Sequence, residues 1–160
     1  GAWDLGVRQS VEAGCDIIVL SNDDIIYNES VNDLIEYIIQ DKDSDNSVYG
    51  PVASGITNTI QMATDVTNKM TQISGTVFLQ HLGGHAYFFT KELYHRYKQP
   101  NGELFIIDQP HNGGDGKWGG NEGNVMCWAE KGCKCIVAGN CYVIQQTDDK
   151  QSWKKARDMV

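Results

Sequence analysis

The feature that most constrains this chain is an apolar run that ends abruptly in acid: Cys15-Asp16-Ile17-Ile18-Val19-Leu20-Ser21-Asn22-Asp23-Asp24. Ile17 to Leu20 is unbroken and mostly β-branched, the pattern of a buried strand in an α/β sheet. Ligands of such sheets sit outside the carboxyl ends of the strands, and Asp23 and Asp24 fall at that position. Adjacent carboxylates repel one another unless a cation or solvent screens them. A divalent ion is one resolution, because Mg2+ and Mn2+ prefer oxygen ligands. A helix cap or a solvated turn is the other.

Helical and extended patterns alternate around this run. Asp4 to Ala13 reads as a helix carrying Trp3, Val7 and Val11 on one face, with Gly14 as its C-terminal glycine. Ser30 is expected to cap a helix to about Gln40, with Val31, Leu34, Ile35 and Ile38 as its apolar stripe. Val48 to Val52 reads as a short strand that Gly50 and Pro51 end or bend early. Ser54 to Ser74, rich in Thr, Asn, Gln and Met, lacks periodicity and reads as a long loop with one helical turn, either a binding loop or a surface excursion.

Thr76 to Gln80 is β-prone, and Leu82 to Thr90 is a strand led by Gly83 and Gly84. Thr90 is expected to cap a helix from Lys91 to about Lys98. Between Asp108 and Gly123, six glycines surround His111, Asp115, Trp118 and Glu122. Such a stretch has no apolar face of its own, and reads as an excursion or as a loop ordered by its ligand. Glu122 to Lys131 reads as a helix with Val125, Trp128 and Ala129 inward and Gly132 ending it. Cys133 to Val137 and Tyr142 to Gln145 read as two short strands, and Ser152 onward as a helix.

The chain has 160 residues, enough for one domain with a sizeable core. Its formal net charge of −8 argues against nucleic acid as a partner, the only basic cluster being Lys154, Lys155 and Arg157. No apolar run approaches the roughly 20 residues of a membrane span. The first residue is not Met and the opening residues already lead into a helix, so a fragment or excised domain is expected. The five cysteines are odd in number and widely spaced, which reads as reduced thiols in a cytoplasmic protein. Their Cys-x-Cys pair lacks the spacing of common zinc knuckles.

The order of parts resembles a known family. A helix leads to a strand ending in Ser21-Asn22-Asp23-Asp24. A helix and a strand come next, then the Gly-Gly strand-helix segment Gly83 to Lys98. Asn121-Glu122 then opens a helix with an inward Trp128, and Ile136 to Gln146 closes the unit. This is similar to the central and C-terminal part of a GT-A glycosyltransferase of the inverting, family-2-like kind, and the likeness covers most of the chain. It implies an α/β fold: a GT-A, Rossmann-like mixed sheet flanked by helices, with the N-terminal strand or strands missing. Residues 1–160 would form a single partial domain, with the donor and metal part at about 1–55 and the acceptor and catalytic part at about 75–147.

The resemblance implies transfer of a sugar from a nucleotide-diphosphate donor to a hydroxyl of a glycan, lipid or protein acceptor. Asn22, Asp23 and Asp24 would stand as the acidic motif, with Asn22 in place of its first Asp and Asp24 as the main ligand of Mn2+ or Mg2+. Many members place a histidine ligand in the last strand. This chain has Gln145 and Gln146 there, and Gln146 is the expected neutral ligand. Glu122 would be the general base, with Asp115 as the alternative. Gly83, Gly84, His85, Trp118 and Asn121 would line the substrate side. The implied setting is cytoplasmic, with any membrane association made through parts outside this chain. Two other readings stay open: a nucleotidyltransferase of related fold, which also holds metal at strand-end carboxylates, and a carbohydrate-binding domain without catalysis.

Overall fold

The computed structural model describes residues 2–56, 58–77, 80–105 and 120–146, with only the main chain described at 120 and 121. The elements in chain order are helix α1 (Ala2–Glu12), strands β1 (Ile17–Ser21) and β2 (Ile25–Ile26), and helix α2 (Ser30–Gln40). A 3-10 turn (Ser44–Asn46) leads to strands β3 (Ser47–Ser54), β4 (Met70–Ile73) and β5 (Ala86–Thr90). Helices α3 (Lys91–Tyr97) and α4 (Gly120–Glu130) precede the last strand, β6 (Lys134–Gln145).

The strands form one open, mixed six-stranded sheet in the order β1-β5-β3-β6-β2, with β4 on β6. β3 and β6 run parallel, whereas β5 is antiparallel to both β1 and β3. The carboxyl ends of β1, β3 and β6 and the amino end of β5 therefore lie together at one end of the sheet.

Side chains alternate between the two sheet faces, as strand geometry requires. On one face Ile18, Leu20, Val48, Tyr87, Phe89 and Val137 pack with Val7 of α1, Leu93 and Tyr97 of α3, and Val125 and Trp128 of α4. On the other face Tyr49, Ala53, Phe88, Ile136 and Val143 pack with Leu34 and Ile38 of α2. The sheet is thus covered on both faces by helices whose apolar stripes follow the expected spacing. Gly14 and Gly132 follow α1 and α4 with φ of +85° and +95°, the left-handed region that suits glycine at a helix end. At α3, Thr90 Oγ1 accepts a hydrogen bond from the Leu93 N–H, the expected cap.

Several expectations are corrected. The run Ile17 to Leu20 forms an edge strand, antiparallel to β5, and is buried on one face only. Val19 is 40% exposed because α2 covers the β3–β6 side and leaves β1 bare there. Gly50 and Pro51 do not end β3, which continues to Ser54. The register against β6 instead shifts between Pro51 and Val52, since Pro51 pairs with Ala138 and Val52 with Tyr142. A bulge accommodates a proline in a strand.

The same bulge explains why Cys133–Val137 and Tyr142–Gln145 are not separate strands: β6 runs through Gly139-Asn140-Cys141 without a break. Within the stretch read as a loop, Met70–Ile73 forms β4, while Gly75 to Val77 is a bend and no strand is described over Thr76 to Gln80. Ser30 is the first residue of α2 and not its cap. Its hydroxyl donates to Asn28 Oδ1 at 2.6 Å and accepts from the Tyr142 N–H at 2.9 Å, tying α2 to β6. The five cysteines are free, and Cys133, Cys135 and Cys141 are buried. No helix among the described residues is long and apolar enough to cross a membrane.

Asp4 is buried within α1, and its Oδ1 accepts the N–H groups of Leu104 and Phe105 at 2.7 and 3.0 Å. This joins α1 to the segment that follows α3. Asp4→Ala would leave two buried donors without that acceptor, at about 1–3 kcal/mol each. Urea unfolding should register a loss of about 2–4 kcal/mol, whereas Leu5→Ala, at a half-exposed site on the same helix, should stay within about 0.5 kcal/mol of the parent.

Candidate functional site

The acidic turn Asn22-Asp23-Asp24 lies across the carboxyl end of the sheet. The Asn22 N–H donates to the His85 carbonyl at 3.0 Å, and the Gln146 N–H donates to the Asp24 carbonyl at 2.8 Å. The chain therefore passes from β5, at one side, to the end of β6 and then pairs as β2 with Ile144 and Gln145. Three extended residues reach only about 10 Å, so the turn has little slack. Asp23 faces solvent, and Asp24 is partly buried.

Asp24 Oδ2 accepts a hydrogen bond from Gln145 Nε2 at 2.7 Å. Its other oxygen, Oδ1, is buried and has no hydrogen-bond partner among the described residues. Buried polar atoms without partners are rare, and a cation is one partner that would satisfy this oxygen. Gln145 supplies the side chain that reaches Asp24, whereas Gln146 meets the turn through its main-chain N–H. No group of three His, Cys, Asp or Glu side chains able to hold a metal exists among the described residues. Mg2+ seldom needs such a cage, since it retains several waters and takes one or two carboxylates together with phosphate oxygens. The free oxygen of Asp24 fits that donor set.

Glu122 lies in the first turn of α4 and reaches the glycine turn before β5, where its Oε1 accepts the Gly84 N–H at 2.8 Å. A Cβ at position 84 would stand 2.5 Å from that oxygen, so glycine allows the carboxylate to seat against the main chain. Tyr87 is fully buried beneath this contact, and burial first, then the Glu122 charge, holds its hydroxyl well above the usual phenol range. Two consecutive residues, Gly84 and His85, thus contact Glu122 on one side and Asn22 on the other.

The His85 ring is buried and its Nε2 lies 3.2 Å from the Pro51 carbonyl. A carbonyl only accepts, so Nε2 carries the proton. Burial pushes the imidazole below its ordinary pKa, while the Pro51 carbonyl and the Asp24 charge act in the opposite direction. Gly83 is held by Gln61, whose Oε1 accepts the Gly83 N–H at 2.6 Å and whose Nε2 donates to the Pro51 carbonyl at 2.9 Å. Asn58 Nδ2 donates to Gln61 Oε1 and to the His81 carbonyl. Gln61 is completely buried, and its main chain lies beside β3 through the Ala53 N–H to Gln61 carbonyl bond.

The structure thus brings together Asn22, Asp23, Asp24, Gly83, Gly84, His85 and Glu122. Asn121 joins them only as main chain in the first turn of α4, and Asp115 and Trp118 lie outside the described residues. Asn58 and Gln61 went unrecognised in the sequence. Their one signal is amide-rich composition in a segment without periodicity, which marks polar loops in general and not a buried brace.

Neither a protein-family model, nor a curated protein, nor a solved structure matches this chain.

The depressed His85 pKa sets a sign for pH. The unfolded histidine takes its proton near pH 6.5, before the folded one does. Its contribution is therefore present above about pH 6.5 and is lost as pH falls toward the folded value. In urea unfolding, the stability margin of the parent over His85→Gln should shrink between about pH 7.5 and about pH 5.5. An equal margin at both pH values would contradict the buried neutral ring. Gln61→Leu, which keeps side-chain size but abandons the Gly83 N–H and the Pro51 carbonyl, should cost about 2–4 kcal/mol in the same assay.

Proposed function

We propose that this chain is a GT-A glycosyltransferase unit that moves a sugar from a nucleotide-diphosphate donor to an acceptor hydroxyl with inversion. The observation that carries the reading is the buried Asp24 oxygen, without a hydrogen-bond partner among the described residues, in a turn that Asn22 ties to His85, next to Gly84, which holds Glu122. The position of the turn at the carboxyl end of a mixed sheet supports it further.

In this reading Glu122 is the general base. Its Oε1 is held by the Gly84 N–H, which leaves Oε2 to take the proton of the acceptor hydroxyl. As that oxygen bonds to the anomeric carbon, the bond from that carbon to the diphosphate oxygen breaks and its electron pair leaves with the nucleoside diphosphate. Asp24 would hold Mn2+ or Mg2+, which when bound would supply positive charge to the diphosphate leaving group. Gln145 fixes the orientation of Asp24 by bonding Oδ2. Gln61 and Asn58 fix the glycine turn, so the base is aimed by a buried amide network and not by its own helix alone.

One observation favours a second reading, a carbohydrate-binding unit without catalysis: a neutral amide, that of Gln145, occupies one oxygen of the acidic motif. Calorimetric titration separates the two. Nucleoside diphosphate binding that strengthens at least tenfold with Mn2+ belongs to the transferase, and sugar binding without nucleotide or metal belongs to the alternative.

Donor hydrolysis and transfer, screened over nucleotide-diphosphate sugars with Mn2+, test the catalytic assignment. Asp24→Ala and Glu122→Gln should each lower turnover by a factor of about 100 or more, in line with the loss of general-base or charge stabilisation. Gly84→Ala should lower it with little loss of stability, because its methyl group displaces the carboxylate and not the core. Turnover near the parent level in both Asp24→Ala and Glu122→Gln would remove the assignment.

A further inference from the structure

The opposite end of the sheet carries a second polar cleft. β3 and β6 begin there, with Ser47 paired to Lys134, and α3 and α4 both end there. Eight residues of β3 at ~3.3 Å each put it roughly 25 Å from the acidic turn. The cleft measures about 560 Å³ and is lined by Arg96, Lys98 and Lys131 together with Asn46 and Tyr97, with no carboxylate among the described residues that line it. In a chain of net charge −8, three cations around one cleft stand against the overall balance.

Ordinary structural roles do not use these charges up. Among the described residues neither Arg96 nor Lys131 has an ion pair, and Lys98 Nζ rests over the Tyr94 ring, 5.3 Å from its centre. The cations do not cap the helices either. The last turn of α4 is closed by main-chain bonds from Lys131, Gly132 and Cys133 to the carbonyls of Trp128 and Ala129, and Lys98 closes α3 on Tyr94. The floor of the cleft is fixed: Asn46 Nδ2 donates to the Gly132 carbonyl at 2.8 Å, and the Tyr97 hydroxyl donates to Asn46 Oδ1 at 2.7 Å. Tyr97 is in turn stacked on Trp128. Asn46 thereby ties the ends of α3 and α4 together and holds the three cationic stems around one space.

We propose that this cleft binds a phosphate-bearing ligand, with Arg96 as the planar donor that pairs with phosphate oxygens and Lys98 and Lys131 as flanking point charges. The site is separate from the acidic turn and does not depend on the transferase reading. A diphosphate or a phosphomonoester presents the same chemistry whether it is soluble or is the headgroup of a lipid.

The test is titration of the whole chain with inorganic pyrophosphate in EDTA, which prevents any metal bridge to Asp24, followed by amide NMR shifts at constant ionic strength. Parallel sedimentation uses vesicles of phosphatidylcholine with and without an anionic phospholipid. Saturable shifts confined to residues around 46, 96–99 and 131–132 are expected, weakened at least tenfold in Arg96→Ala/Lys131→Ala. These side chains are exposed, so the variant should keep its fold, checked by circular dichroism. Pyrophosphate saturation without sedimentation marks a soluble ligand, and sedimentation that needs the anionic lipid and the same two cations marks a headgroup. Shifts that fail to saturate, or binding equal in parent and variant for both probes, would overturn the site.

Discussion

Two main-chain hydrogen bonds, anchored two residues apart on the turn, organise the candidate site: Asn22 to His85 and Gln146 to Asp24. They stretch the acidic turn over the carboxyl end of the sheet and leave it no room to fold back into solvent. Asp24 is partly buried for that reason, and the geometry that buries it also leaves Oδ1 without a partner among the described residues. The chain after the turn must then pair with the far side of β6, which makes β2 short and starts α2 over β6.

The other side of the site is built from amides. Gln61 occupies the space beside Gly50, where a Cβ would stand 2.5 Å from its Nε2, and it spans from the Pro51 carbonyl to the Gly83 N–H. A buried side chain that satisfies both a donor and an acceptor of the main chain is costly to lose, because each group would be left unpaired in a low-dielectric interior. The register shift at Pro51 and the glycine turn at Gly83-Gly84 meet through this one residue. His85 closes the same network from above, neutral and bonded to Pro51.

The helices were legible in the sequence because period and punctuation agreed: Val7 and Val11 before Gly14, Leu34 and Ile38 in α2, Thr90 before α3, and Val125 and Trp128 before Gly132. The carboxyl-end position of Asp23 and Asp24 was legible for the same kind of reason, a strand followed by a sharp change to acid. Its premise was only half right, since β1 is an edge strand with one bare face, and hydrophobic run length alone does not distinguish edge from centre. The continuity of β6 through Gly139-Asn140-Cys141 and the pairing of β4 with it depend on partners far away in sequence. So do the roles of Asn58, Gln61 and Gln145, because an amide in a polar stretch carries no local mark of which main-chain groups it will meet.

The sheet thus ends in a polar crossing where a buried oxygen of Asp24 has no hydrogen-bond partner among the described residues. Whether that oxygen takes a cation is measured most directly by paramagnetic broadening of backbone amide signals on titration with Mn2+ and a nucleoside diphosphate. Broadening that begins at residues 22–24, 85 and 145–146 and disappears in Asp24→Ala is the expected result. Broadening spread evenly over the acidic surface, or unchanged in Asp24→Ala, would contradict a metal site at the turn.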